Sequence, residues 1–326
     1  MPEPRLYEGD PAKRSHPPAS PPALPAPPNL SRLGIENYHA DPGLQDAVNV
    51  ALQLRQPLLL TGPPGTGKTM LAYSLAWELG LGRPLKFETK SSSESRDLFY
   101  RYDALARFHA ARIDGNDGDA ADAMEDRKRG LRFLRLQAFG EALVRSMTSD
   151  LIRQSFGVDE LESVLPDLRD NHQPHRSVVL IDEIDKAPRD FPNDILNEIE
   201  HLYFRIPELQ IESVPPREGR GESGGEHQPV LVITSNSEKA LPDAFLRRCV
   251  FYHIAFPDKD RLAKIVRALL ANLGDLDQTL LDQGLTFFYA LHQAGLDKPP
   301  STAEFLNWIV ALQRLRVETN PFASPE

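Results

Sequence analysis

Apolar and polar positions divide the chain into segments of two periods. From Asp41-Pro42 to Leu54, residues Leu44, Ala47, Val48, Ala51 and Leu52 recur at three- and four-residue spacing, which predicts a helix that ends before Pro57. Pro57-Leu58-Leu59-Leu60-Thr61 is a short apolar run of the kind a buried strand makes. A glycine-rich turn follows, then an apolar helix from Met70 that stops near Gly80-Leu81-Gly82. Pro84 to Thr89 reads as a second strand, and Ser91 to Tyr100 as a polar loop leading into a helix. Arg127 to Arg153 reads as one helix, with Leu131, Leu134, Ala138, Leu143 and Met147 on its stripe.

Two further apolar runs, Ser177 to Ile181 and Val230 to Ile233, read as buried parallel strands closed by polar residues. Between them, Ile184 to Glu200 reads as turn, proline stop and helix, and Tyr203 to Ile211 as strand-like. A short helix within Leu241 to Phe251 leads to a last strand through Ile254. After Phe256-Pro257-Asp258, three helical patterns remain: Asp260 to Leu273, Asp277 to Ala294 and Ser301 to Val317.

Composition sharpens this picture at the ends and in one loop. Residues 1–28 hold ten of the 29 prolines and read as a disordered arm, because such a stretch cannot supply a packed core. Asp114 to Asp126 carries six carboxylates and two glycines and reads as an exposed loop. It does not fit a calcium loop, since Gly118 falls where an oxygen ligand is needed. Arg127-Lys128-Arg129, with Arg132 and Arg135, is the one basic patch and reads as a solvated helix face. His109, His172 and His175 lack the partners of a metal site. The formal net charge of −10 argues against a nucleic-acid or anionic-membrane partner. A single cysteine, Cys249, and no run long enough to span a bilayer lead to the expectation of a cytoplasmic protein.

The chemistry concentrates in Gly62-Pro63-Pro64-Gly65-Thr66-Gly67-Lys68-Thr69-Met70, set between strand and helix. That context gives G-x-x-x-x-G-K-[ST] its mechanism: glycines let backbone amides curl around phosphate oxygens, and the helix N-terminus adds partial positive charge. Lys68 is expected to reach the β- and γ-phosphates, and Thr69 to hold Mg²⁺. Asp182 and Glu183 close the second buried strand, so Asp182 is the candidate for coordinating Mg²⁺, usually through water, and Glu183 for polarising an attacking water. A glutamate there favours hydrolysis over transfer to a small-molecule acceptor. Asn236 closes the third strand at the same sheet edge, where it can orient that water or touch the γ-phosphate. Tyr38 is a candidate for packing on adenine, with a core aromatic as the equal alternative. No N/T-K-x-D guanine motif is present.

Taken in order, Gly62 to Thr69, Asp182-Glu183, Asn236 and Arg247-Arg248 resemble the AAA+ ATPases. The phrasing of Ile181-Asp182-Glu183-Ile184-Asp185-Lys186-Ala187-Pro188 and of Leu241-Pro242-Asp243-Ala244 looks most like the MoxR branch, including its CoxD-like members. The resemblance implies a three-layer αβα P-loop fold with a parallel sheet, followed by a small helical lid. The expected boundaries are a proline-rich arm at 1–30, the nucleotide-binding domain at 31–257 and the lid at 258–326, with an insertion in the second helix at about 89–107 and a hairpin insertion at 203–229. It further implies ATP with Mg²⁺ and a homo-hexameric ring with nucleotide bound between subunits. Asn236 then takes the sensor 1 position, and Arg248 reaches the neighbour's γ-phosphate, with Arg247 as the alternative. A client protein is implied, with a von Willebrand factor A-domain partner. Relatives often place a sensor 2 arginine where this chain has Ala303; Ser301 and Glu304 make a capping box there, and Lys298 is left as a substitute cation. Two rivals are a nucleic-acid motor and an ATP-dependent scaffold or switch with little turnover.

Overall fold

A computed structural model of the chain describes residues 35–113, 123–216, 226–270, 278–296 and 299–315. The proline-rich arm, residues 114–122 of the acidic run and Lys298 lie outside the described residues. The chain divides into two units, one of Ala40–Pro63 with Gly67–Ile254, the other drawn from Met1–His39, Pro64–Thr66 and Ala255–Glu326.

In chain order the larger unit contains α1 (Pro42–Leu54), β1 (Leu58–Thr61), α2 (Lys68–Glu78), β2 (Leu85–Glu88), β3 (Tyr100–Tyr102), α3 (Ala104–Ile113) and α4 (Ala123–Leu131). Next come β4 (Leu134–Leu136), α5 (Ala138–Arg145), α6 (Ser149–Phe156), β5 (Val178–Asp182), α7 (Phe191–Asp194) and α8 (Leu196–His201). It closes with β6 (Phe204–Ile206), β7 (Ile211–Val214), β8 (Val230–Ser235), α9 (Asp243–Leu246) and β9 (Val250–His253). α1 begins where its pattern predicts, because the Asp41 carboxylate accepts the Leu44 amide at 2.8 Å and Pro42 occupies a first-turn position that has no N–H to satisfy.

Five strands form one parallel sheet in the order β2-β5-β8-β1-β9. Strand alternation sends Leu59, Phe87, Val179, Ile181, Leu231 and Ile233 into a core shared with Phe139, Ala142 and Leu143 of α5. Helix α2 packs on β5 and β8, and α5 on β2 and β5. The result is the three-layer αβα sandwich of a P-loop fold. Burying a side chain such as Ile181 or Leu143 contributes about 1.5–3 kcal/mol, so the apolar runs that define the strands also anchor the sheet. The sheet order brings the C-terminal ends of β1, β5 and β8 side by side, and that edge carries the site.

The stretch 127–153 is not one helix. α4, whose first turn includes residues expected as loop, ends at Leu131, and β4 pairs antiparallel with β3 before α5 begins. Leu134 and Leu136 turn inward on either side of exposed Arg135, a period of two hidden inside a helical spacing. Gly140 lies so close to the start of β3 that a Cβ there would meet the Phe99 carbonyl oxygen at 2.0 Å. The helix expected after Ser91 is instead a 3₁₀ turn, Ser95–Leu98, followed by β3. The strand-like stretch Tyr203 to Ile211 begins the expected hairpin: β6 and β7 are antiparallel, with a 3₁₀ turn at Pro207–Leu209.

The smaller unit holds α10 (Lys259–Leu270), α11 (Gln278–Gln293) and α12 (Thr302–Leu315). Leu262, Val266, Leu281, Leu285, Phe288, Phe305 and Ile309 form its core. The rings of Phe288 and Phe305 lie 4.6 Å apart. The capping box is present: Ser301 N–H donates to Glu304 Oε2 at 2.7 Å, and Glu304 N–H donates to Ser301 Oγ at 3.3 Å. Among the described residues, no helix is long and apolar enough to cross a membrane.

Candidate nucleotide site

The glycine loop leaves β1 and enters α2 through Gly67, whose φ of 88° lies in the left-handed region that favours glycine. The amides of the first turn of α2 are thereby presented at a helix N-terminus, where backbone N–H groups and the helix dipole both suit an anion. Lys68 is buried, and its Nζ donates to the carbonyls of Gly62 at 2.7 Å and Pro63 at 2.8 Å. Burial lowers its pKa against the opposing pull of Asp185, Asp182 and Glu183.

Asp182 ends β5 as the meeting point of four elements. Its Oδ1 accepts the Thr69 hydroxyl of α2 at 2.9 Å and the Thr234 hydroxyl of β8 at 2.7 Å. Its Oδ2 pairs with Lys86 of β2 at 2.9 Å. Burial alone would raise the pKa of this carboxyl, but hydrogen bonds from Lys86, Thr234 and Thr69 together with the Lys86 charge hold it below the usual carboxylate range.

Glu183 follows in an uncommon conformation for a side chain larger than glycine, at φ 57° and ψ 53°. Such a backbone costs about 1–3 kcal/mol and persists only where the surroundings hold it. Thr234 Oγ1 supplies one restraint by accepting the Glu183 amide at 2.9 Å. The Glu183 carboxylate accepts Asn236 Nδ2 on Oε1 at 3.1 Å and Lys186 Nζ on Oε2 at 2.5 Å. Asn236 is fixed in turn by Asp185, only 2% exposed, which accepts the backbone amides of Asn236 at 3.2 Å and Glu238 at 3.0 Å.

The structure thus brings together Lys68, Thr69, Asp182, Glu183 and Asn236. A hydroxyl and a carboxylate within hydrogen-bond reach form an oxygen donor set that fits a hard dication such as Mg²⁺, beside an amide-lined loop and a lysine that fit phosphate. Met70 is half-buried in the first turn of α2. Arg248 turns to α8, where Nε meets Glu200 Oε2 at 3.0 Å, and Arg247 beside it is exposed. Tyr38 is half-buried after the 3₁₀ turn Ile35–Asn37, with its amide bonded to the Ile35 carbonyl at 3.3 Å. Tyr38 and the loop tip Pro64–Thr66 belong to the smaller unit.

Four residues of the cluster escaped sequence reading: Thr234, Asp185, Lys86 and Lys186. Thr234 and Asp185 stand within a strand end and a turn whose neighbours were singled out, so parity along β8 and the acid three positions after Asp182 were the available signals. Lys86 had only its place among the apolar residues of a strand.

The chain matches the family model described as "ATPase family associated with various cellular activities (AAA)" over residues 58–258. No curated protein matches it at a significant level. The matched span runs from β1 to just beyond β9 and takes in every residue of the phosphate and carboxylate cluster, which makes the chain a member of the AAA family of ATPases.

Proposed function

We propose that the chain hydrolyses ATP with Mg²⁺ at this cluster and, in the manner of the MoxR branch, uses the cycle to remodel or activate a partner protein. The observation that carries the reading is the contact of Asn236 Nδ2 with Glu183 Oε1 at 3.1 Å, next to an Asp182 bonded to Thr69. It supplies a base, a group that orients it and a metal ligand on one sheet edge.

In this reading, the amides of Gly65 to Thr69 and the Lys68 ammonium take the phosphates. Thr69 and Asp182 would hold the metal, which would supply charge neutralisation at the phosphates. Glu183 takes the proton of the attacking water. Asn236 holds Oε1, and Lys186 pairs with Oε2. Arg248, or Arg247, donates from one subunit to the γ-phosphate bound by the next, for which the planar guanidinium is suited. The assembly is a homo-hexamer, and its partner is a client protein, with a von Willebrand factor A-domain protein as the kind of adaptor this branch uses.

Mass photometry of the Glu183→Gln variant with ATP tests the assembly. Rings of several subunits are expected, and a species that stays at 36.5 kDa removes the role of the arginines across subunits. Pull-down with the same ATP-trapped variant tests the client class: recovery of nucleic acid in place of protein overturns the remodelling assignment.

A further inference from the structure

Lys86 stands beside the metal ligand without a part in the chemistry above. It lies opposite Leu180 in the β2–β5 register, and Glu88 lies opposite Asp182, so Lys86 and Asp182 are diagonal neighbours on one face of two adjacent strands. Its Nζ reaches Asp182 Oδ2 at 2.9 Å, while Oδ1 is already taken by Thr69 and Thr234. The Asp182 side chain is 10% exposed and that of Lys86 34%, so the carboxylate is largely buried while the lysine keeps contact with water, which screens its charge. Glu88, the other acid near Lys86, is 3.7 Å away and its side chain is 65% exposed, which leaves Asp182 as the principal partner. The Lys68 cation also feels the Asp182 charge, together with those of Asp185 and Glu183.

We infer that Lys86 is a resident counter-cation for Asp182, a positioning residue that aims the carboxylate and weakens its hold on a divalent metal through like-charge repulsion. The metal is then taken up with the nucleotide phosphates rather than by the protein alone. The inference rests on the metal-nucleotide reading of the site and deepens it. A unit charge acting on a dication across several ångströms in a high dielectric changes metal affinity by about five- to tenfold.

The test titrates Mn²⁺, as a paramagnetic probe for Mg²⁺, into the full-length protein with ADP and reads free Mn²⁺ by electron paramagnetic resonance. Lys86→Met is expected to lower the half-saturating Mn²⁺ about five- to tenfold, and Lys86→Arg to leave it within about twofold of the parent. An unchanged or higher midpoint in Lys86→Met overturns the proposal. Should that variant fail to fold, Lys86→Gln takes its place; if Gln also fails while Arg folds, the pair is a folding element and the proposal falls. Absence of nucleotide-dependent Mn²⁺ binding in the parent protein would instead overturn the metal-nucleotide reading, so the two failures are distinct.

Discussion

Asp185 shows how much of the site is held by a residue that touches no phosphate in the proposed chemistry. Its buried carboxylate accepts the amides of Asn236 and Glu238, and these bonds set the turn that aims Asn236 at Glu183. Asp185→Ala removes two part-buried hydrogen bonds whose amides water can partly satisfy, at about 0.5–1.5 kcal/mol each. Urea unfolding should place the variant about 1–3 kcal/mol below the parent, and Asp185→Asn, which keeps one carbonyl acceptor, between them. Cys249 gives a second residue-scale expectation. Burial pushes its thiol pKa up to about 12, so the thiolate is scarce at pH 8. Native protein should react with a thiol reagent at least about a hundredfold more slowly than unfolded protein, measured as labelling rates with and without denaturant. The linked stability is present in full below the unfolded thiol pKa of about 8.5 and is lost as pH rises from there towards the folded value. At this scale the sequence made legible the residues that close an apolar run or a glycine loop: Lys68, Thr69, Asp182, Glu183 and Asn236. Thr234, Asp185 and Lys86 act through partners on other strands, and their contacts depend on a register that no local pattern encodes.

At the scale of elements, the two insertions expected from sequence meet through Glu208, in the 3₁₀ turn between β6 and β7. Its Oε2 accepts the Tyr100 hydroxyl of β3 at 2.9 Å, and its Oε1 pairs with Arg96 at 3.4 Å. Its backbone carbonyl accepts Arg107 of α3 at 3.1 Å. Arg127 of α4 donates to the Leu209 carbonyl at 3.1 Å and to that of Gln210 at 3.3 Å. Burial and the Glu208 carboxylate together raise the Tyr100 phenol well above its ordinary pKa, so it serves as a donor throughout the neutral range. Glu208→Ala should destabilise the β3–β4 pair and the β6–β7 hairpin by about 1–2 kcal/mol, the worth of one or two hydrogen bonds. Hydrogen exchange should show faster exchange in β3, β4 and β6 and little change in β1, β5 and β8; uniform change across both groups would contradict a local coupling. The sheet strands were legible because each is a buried apolar run bounded by turn residues. The antiparallel pair β3–β4 was not, since Leu131, Leu134 and Ala138 satisfy a helical spacing as well as the strand that tertiary pairing selects.

For the whole molecule, a parallel sheet collects at one edge the ends of three strands that are far apart in sequence, and Thr234 with Asp182 ties two of them together. The αβα class was readable because its strands are buried on both faces and read as unbroken apolar runs. Arg247 and Arg248 are both exposed, and Arg248 pairs with Glu200 of α8. If the arginines act across subunits, Arg247→Ala with Arg248→Ala should lower turnover about a thousandfold while ATP affinity changes little, read by phosphate release and by fluorescent-nucleotide binding. The most direct test of hydrolysis at this cluster is phosphate release with Mg²⁺ and ATP, comparing the parent protein with Glu183→Gln. The account predicts steady turnover in the parent and a loss of at least about a hundredfold in the variant, with ATP binding retained. Equal rates in the two proteins would contradict it.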